Sequence, residues 1–340
     1  ISRCLQLAAL GAGYVAPNPM VGAVLVCNGR IIGEGYHQQY GGYHAEVNCI
    51  SSVTPTDTNL IAASTMYVSL EPCAHFGKTP PCADFIVAHK IPKVVIGCRD
   101  PFKKVDGKGM DKLRAAGVEV VFGILENECQ ELNKRFFTFH KLQRPYIILK
   151  WAQSSDGKLA ADSNERTFIT NEYTNRLVHK WRSEEAAIMV GSNTALKDNP
   201  TLSTRLWKGN SPVRVVLDMR LRLPQNLQLL DGSIKTIVFN GINQEKHDKL
   251  WYHKLDKDGE ILQQVCAALY SMDVQSVLVE GGANLLQSFI DKGLYDEIIV
   301  VENTALHIGD GLFAPQFPKM VLQQKFRLVD DEVSMYCHHL

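Results

Sequence analysis

His44-Ala45-Glu46, followed by Glu71-Pro72-Cys73-Ala74-His75-Phe76-Gly77-Lys78-Thr79-Pro80-Pro81-Cys82, is the stretch from which the rest of the chain is read. One imidazole and two thiols can hold a Zn²⁺ and leave its fourth position open, as a catalytic zinc requires. Glu46 stands only two residues past His44, too close in sequence for a comfortable fourth ligand. It is well placed instead to handle the protons of water activated by the metal. A purely structural zinc is the competing reading, with His75 completing a closed set of four ligands. Glu46 beside an open position favours catalysis.

The order H-x-E, then P-C, then a second Cys, is the pattern of zinc-dependent nucleobase deaminases. It is specific because four residue types coincide in order. The expected chemistry is addition of water to an amidine-like ring carbon, with Glu46 shuttling protons to the ring nitrogen and the leaving amine.

Working outward, 340 residues suggest roughly two domains at about 100–200 residues each. Basic and acidic side chains balance at 36 each, which argues against a dedicated nucleic-acid binder. No apolar run reaches the roughly 18 residues of a membrane span. The opening Ile1-Ser2-Arg3-Cys4-Leu5 lacks the features of a signal peptide, and a cytoplasmic protein is expected. Nine cysteines then read as reduced thiols, with Cys4, Cys27, Cys49, Cys98, Cys129, Cys266 and Cys337 outside the metal set.

The local patterns predict a helix over 2–12, then strands Val21–Cys27 and Ile31–Tyr36 joined by Asn28-Gly29-Arg30, a hairpin signal. A helix over 45–53 carries His44 and Glu46 at its first turn. Strand 65–70 leads to Cys73, and Cys82 opens a helix to about residue 90. Strands 93–98 and 118–122, a short helix 111–116 and a long helix 126–142 complete a mixed sheet flanked by helices. Gln143-Arg144-Pro145 marks a boundary, since proline is disfavoured inside a helix. The second half repeats a strand–helix rhythm: strands 146–152, 186–190, 213–218, 236–240, 276–280 and 296–302, helices 171–183, 259–270 and 282–291. Residues 243–258 read as a polar surface excursion.

Two readings stay open on residue type alone. His75, Lys78 and Thr79 form either a solvated loop or a phosphate grip. Asn18 and His37 either bind a substrate ring or merely shape a turn.

The stretches Ala16-Pro17-Asn18-Pro19-Met20-Val21-Gly22, His44-Ala45-Glu46 and Pro72 to Cys82 together closely resemble the bacterial bifunctional riboflavin-biosynthesis family. Cytidine and tRNA adenosine deaminases typically keep their two cysteines two residues apart, whereas eight residues separate Cys73 and Cys82. Asp100-Pro101 through Val105-Asp106-Gly107-Lys108-Gly109 resembles the family's D-P-…-V-x-G-K-G loop, with Lys103 where proline is expected. Lys150 to Lys158 resembles its K-x-A-x-S-x-D-G segment, Val190-Gly191 to Pro200 its V-G-x-x-T-…-D-x-P segment, and Glu280-Gly281-Gly282 its E-G-G motif.

The resemblance implies a cytidine-deaminase-like mixed-sheet domain over 1–143, followed by a dihydrofolate-reductase-like α/β domain over 144–340. It implies His44, Cys73 and Cys82 as zinc ligands and Glu46 as general acid and base. Deaminase substrate contacts are implied for Asn18, His37, His75, Lys78, Thr79 and Asp100. NADPH contacts are implied for Ala152, Phe168, Thr194, Asp198, Gly282, Ala283, Asn284, Leu285, Leu286, Gln287 and Ser288. Reductase substrate contacts are implied for Arg166, Arg182, Leu202, Arg205 and Glu280. Phe168 stands where Trp is common, and Arg166 where a small polar residue is. A turn from a buried strand through two glycines into a helix suits, on physical grounds, either a dinucleotide pyrophosphate or simply tight turning.

The implied activity is hydrolysis of the 2-amino group of 2,5-diamino-6-ribosylamino-4(3H)-pyrimidinone 5′-phosphate, then NADPH-dependent reduction of ribosyl to ribityl. Small ribotides would be the partners, and a homo-oligomer is expected. The competing functions are a tRNA or nucleoside deaminase with an accessory domain, and a zinc-stabilised protein that only senses a dinucleotide. Balanced charge and the long inter-cysteine insert speak against the first, and Glu46 against the second.

Overall fold

The computed structural model describes residues 1–76, 80–103, 105–162 and 167–338. It divides into two compact units, Ile1–Gln143 and Arg144–Leu340.

In the first unit the apolar runs become a five-stranded sheet. Its strands are β1 (Gly22–Cys27), β2 (Arg30–Tyr36), β3 (Thr65–Leu70), β4 (Lys93–Cys98) and β5 (Glu119–Phe122), in the order β2-β1-β3-β4-β5. Asn28 and Gly29 both take positive φ, which a two-residue hairpin turn demands, so β1 and β2 run antiparallel. The pairs β3–β4 and β4–β5 are parallel. Side chains alternate across the sheet. Ala23, Leu25, Met66, Val68, Val94 and Ile96 pack under helices α2 (Ala45–Ser51), α3 (Cys82–Ala88) and α4 (Lys108–Ala115). On the other face, Val24 meets Cys4 and Leu7 of α1 (Ser2–Ala9).

β2 tolerates α2 at close range because a Cβ at Gly35 would collide with the Cys49 backbone. That approach sets the height of His44 and Glu46 above the sheet.

The expected long helix over 126–142 is broken at Asn133 into α5 (Glu126–Leu132) and α6 (Lys134–Leu142). The Asn133 side chain is buried and clasps Met20 twice, accepting from its N–H at 2.8 Å and donating to its carbonyl at 2.9 Å. A tertiary contact thus overrides helical periodicity. Residues 108–110, expected as loop, begin α4.

The second unit opens with β6 (Tyr146–Ser154) and β7 (Lys158–Ala161), then α7 (Glu172–Glu184), β8 (Ala187–Gly191), α8 (Ser192–Asp198) and β9 (Val213–Leu217). It continues with β10 (Thr236–Asn240), β11 (Glu245–Lys246), β12 (Leu250–Lys254), α9 (Ile261–Ser271), β13 (Ser276–Val279) and α10 (Ala283–Asp291). β14 (Glu297–Asn303), β15 (Gly311–Phe313), β16 (Val321–Leu328) and β17 (Asp331–Cys337) end it. Ten of these strands form one sheet in the order β11-β12-β10-β9-β8-β13-β6-β14-β17-β16. From β12 to β14 every pairing is parallel, and β11, β17 and β16 add antiparallel edges. Apart from β12, the parallel strands are largely apolar runs, as burial on both faces requires. Leu149, Met189, Val215 and Val279 meet Leu269, Leu286 and Phe289 from α9 and α10 on one face. Ile188, Val190, Val216 and Val238 pack with Ala195 and Leu202 on the other.

The short elements β7, α8 and β15 go beyond the expected ones, and two longer segments depart from expectation. The excursion 243–258 contains β11 and β12, with β12 paired in parallel to β10. It reads as polar because it is a sheet edge with half-exposed side chains; the Trp251 ring lies under Lys235 and Lys246 at 3.7 and 3.8 Å. The strand ending at residue 302 is not the last, for β16 and β17 follow as a hairpin. β16, Val-Leu-Gln-Gln-Lys-Phe-Arg-Leu, is an exposed edge whose polar residues hide it. Among the described residues no helix is long and apolar enough to cross a membrane.

Candidate active sites

His44 caps the start of α2, which puts Glu46 in its first turn, and Cys82 is the first residue of α3. Cys73 follows β3 by three residues. The chain thus delivers its three ligands from two helix starts and one strand end. His44 Nδ1 lies 3.6 Å from Cys73 Sγ and 3.3 Å from Cys82 Sγ. The three ligand atoms lie within 4.8 Å of one another. A tetrahedral Zn²⁺ with Zn–N near 2.0 Å and Zn–S near 2.3 Å separates N from S by about 3.6 Å. The donor set and its spacing therefore fit zinc.

A hydrogen bond from Cys82, reinforced by His44, draws the Cys73 thiol down to about 4. Cys82, the donor of that bond and buried, is pushed up. The Cys82 N–H also donates to Cys73 Sγ at 3.3 Å. Glu46 is 3% exposed, and burial raises its pKa. A buried carboxyl beside the three ligands suits general acid–base work.

Asn18 and His37 converge on the same place. The His37 ring lies edge-on to the His44 ring at 5.3 Å. Its Nδ1 is 2.9 Å from the Tyr43 carbonyl, so Nδ1 carries the proton and donates. Nε2 is left to accept from Asn18 Nδ2 at 3.0 Å. Burial lowers the His37 pKa, which keeps this neutral tautomer. The Asn18 amide is thereby oriented. Asp100 is 6% exposed, and burial raises its carboxyl to about 7. His75 packs edge-on to Phe102 at 5.9 Å. Lys78, Thr79 and Arg166 lie outside the described residues.

In the second unit, adjacent strands β8 and β13 each turn into a helix at their carboxyl ends. Ligands of open α/β sheets bind in such crevices. Gly281 has no room for a side chain, since a Cβ would stand 2.8 Å from Val190 Cβ. Gly282 has φ +66°, and a Cβ there would stand 3.1 Å from Thr194 Oγ1. The two turns therefore pack together and bring Thr194, Gly282, Ala283 and Asn284 to one crevice.

Leu285 and Leu286 of α10 are buried in the core, and Leu202 packs under β8 and β9. Their side chains are committed to packing. Gln287 bonds Asp291 and the Gln316 backbone, and Ser288 bonds Asn284 O. Asp198 ends α8, and Phe168 is 77% exposed. Ala152 lies near the end of β6.

Arg182, expected to meet a substrate phosphate, holds Glu280 in a fork. Nε donates to Oε1 at 2.9 Å and Nη2 to Oε2 at 2.6 Å. Burial works to raise Glu280, but the guanidinium outweighs it and holds the carboxyl down to about 2. Arg205 is exposed and donates to Thr201 Oγ1 at 3.1 Å. Two residues not singled out from sequence belong to this cluster. Lys150 is buried, which lowers its pKa against the pull of Glu280. His179 is lowered to about 4, by burial first and then by Arg182 and Arg205. A lysine within Tyr146-Ile147-Ile148-Leu149-Lys150-Trp151 was a visible sign of a buried charge; His179 on α7 carried none.

Residues 1–98 match the zinc-binding region of the cytidine and deoxycytidylate deaminases, which defines the class of the first unit. Residues 145–330 match the family described as the RibD C-terminal domain. The riboflavin biosynthesis protein RibD of Aquifex aeolicus is 40% identical over 316 residues, covering 90% of this chain and 88% of its own. RibD of Escherichia coli is 32% identical over 319 residues, covering 88% of this chain and 85% of its own. A Thermotoga maritima structure described as a diaminohydroxyphosphoribosylaminopyrimidine deaminase and 5-amino-6-(5-phosphoribosylamino)uracil reductase superposes with a TM-score of 0.90 at 35% identity. That match covers 99% of this chain and 97% of the other. RibD of Acinetobacter baumannii superposes with a TM-score of 0.89 at 30% identity, over 100% and 98%. The chain belongs to the RibD family, the bifunctional deaminase–reductases of riboflavin biosynthesis.

Proposed function

We propose that the first unit hydrolyses the 2-amino group of 2,5-diamino-6-ribosylamino-4(3H)-pyrimidinone 5′-phosphate, and that the second reduces the ribosyl group of the product to ribityl with NADPH. The observation that carries the first reaction is the triad His44, Cys73 and Cys82 with buried Glu46 beside it. Zinc held there supplies a Lewis acid and a nucleophilic water at neutral pH. Glu46 takes a proton from water and passes protons to the ring nitrogen and the leaving amine. The bond between C2 and its exocyclic amine breaks, a carbonyl forms at C2 and ammonia leaves. Asn18, oriented by His37, hydrogen-bonds the ring, and Asp100 closes the site on another side. His75, Lys78 and Thr79 are assigned to the ribotide.

For the second reaction we assign the crevice of Thr194 and Gly282–Asn284 to the dinucleotide, with backbone N–H groups of the α10 start toward the pyrophosphate. Ala152, Phe168 and Asp198 are assigned to the same cofactor. The Glu280, Arg182 and Lys150 cluster, with Arg205 and Arg166, is assigned to the ribotide. A hydride from NADPH and a proton from the protein side complete the reduction. All nine cysteines are free thiols, which supports a cytoplasmic setting. The open edge of β16 supports pairing with a second copy, which light scattering on the eluting protein would measure.

The test is to incubate the protein with the diaminopyrimidinone ribotide, with and without NADPH, and identify products by mass. Deaminated ribosyl product alone without NADPH, and ribityl product with it, is the expected outcome. No ammonia release would refute the reading.

A further inference from the structure

Glu71 ends at the turn that carries Cys73, and no reading above gives it a role. It is 3% exposed. Its carboxylate accepts four backbone N–H groups from one distant segment. Oε2 accepts from Asp100 at 3.3 Å and from Gly107 at 3.0 Å. Oε1 accepts from Gly109 at 2.9 Å and from Met110 at 3.3 Å. The Glu71 N–H in turn donates to the Cys98 carbonyl at 3.0 Å. Gly109 is part of the same lock, because a Cβ there would collide with the Pro72 carbonyl oxygen. Arg99 adds an outer clasp, with Nε 2.8 Å from Asp106 Oδ1 and Nη2 donating to Asp106 O at 2.8 Å.

Three of these N–H groups, from Gly107, Gly109 and Met110, converge at the start of α4 and, with that of Asp100, form a positive nest that a carboxylate fills and an amide does not. The segment so gripped carries Asp100, whose Oδ1 accepts from the Phe102 N–H at 2.8 Å, and Phe102, which packs on His75. The turn that grips it carries a zinc ligand two residues on.

We propose that Glu71 is a positioning residue of the deaminase: it splices the Cys73 turn to the 100–110 segment and so sets Asp100 against the substrate. This rests on the assignment of Asp100 to substrate made above. The alternative is a helix cap with no bearing on the reaction.

KM and kcat for ammonia release from the diaminopyrimidinone ribotide distinguish the two, measured on the full chain as wild type, Glu71→Gln, Asp100→Ala and the double variant. Elemental analysis gives zinc per chain. Glu71→Gln turns an NH₂ toward two N–H donors, so the segment shifts. The expected result is a KM raised roughly 10- to 100-fold, with kcat near wild type and zinc retained. In the Asp100→Ala background the same change should add little, since both act through one side chain. Losses that multiply overturn the positioning role and leave Asp100's assignment standing. An Asp100→Ala protein with wild-type KM overturns that assignment, and the inference with it. Gly109→Ala presses the segment off Pro72 without touching charge, and serves if Glu71→Gln does not fold. The same KM rise is expected there, and an unchanged KM overturns the proposal.

Discussion

Arg182→Ala should weaken the second unit by about 3 kcal/mol at pH 7. Two routes reach that figure. Removing one partner of a buried ion pair costs about 3–5 kcal/mol, because the other charge is left uncompensated. The side chains of Arg182 and Glu280 are 13% and 9% exposed, so this pair qualifies. Independently, Glu280 is held from 4.5 down to about 2. At about 1.4 kcal/mol per pKa unit, that difference is worth about 3 kcal/mol. The sign follows from proton counting. A carboxyl depressed in the folded state binds fewer protons than in the unfolded one between about pH 2 and 4.5. Its stabilisation is complete above pH 4.5 and is lost as pH falls through that window. The gap between wild type and Arg182→Ala should therefore be widest at pH 7, where buried Glu280 of the variant is most costly, and narrow as pH falls toward 4. The assay is urea unfolding followed by tryptophan fluorescence. All four tryptophans, Trp151, Trp181, Trp207 and Trp251, lie beyond residue 144, so the signal reports the second unit alone. Glu280→Gln in the same background should recover part of the loss, since no bare charge then remains. A deficit below about 1 kcal/mol at pH 7, or one that widens toward pH 4, would refute the reasoning.

Glu46→Gln should keep zinc and fold but slow ammonia release by roughly 10²–10⁴-fold, the usual worth of a general acid–base group; a rate within twofold of wild type would make Glu46 structural. In that same variant, reduction of the already deaminated ribotide should proceed at the wild-type rate, and its abolition in folded protein would show that the two reactions are not separate. Gly282→Trp places a bulky side chain at φ +66° beside Thr194, and should weaken NADPH binding at least tenfold by fluorescence titration while leaving ammonia release intact. Asn133→Ala should cost the first unit about 1–3 kcal/mol by circular dichroism, since Met20 loses both its hydrogen bonds; a neutral effect would mean that water replaces the side chain.

What the sequence disclosed and what it hid divide along one physical line. β1, β3, β4 and β10 were legible almost to the residue, because each is an apolar run bounded by turn residues and buried on both faces. His44, Glu46, Cys73 and Cys82 were legible because zinc chemistry restricts both residue type and order. Hidden elements answer to partners far along the chain. β16 is a sheet edge and β12 is covered only by the two-residue β11, so neither shows a burial pattern that separates strand from loop. The break at Asn133 is invisible without Met20, 113 residues away.

Side-chain commitments were hidden for the same reason. Arg182 reads as a free cation until β13 brings Glu280 beside it. Leu285 and Leu286 belong to a stretch that matches a cofactor motif, yet helical periodicity turns them into the core. A motif fixes which segment approaches a ligand; the helix phase then decides which of its residues can. In α10 that leaves the backbone of the first turn, where N–H groups have no partner within the helix. Gly281 and Gly282 serve that turn twice over, one by admitting Val190 and the other by its positive φ. The double glycine thus reads less as a mark of flexibility than as the condition for two strand ends to share one crevice, which is why Gly282→Trp is expected to strike binding before it strikes the fold.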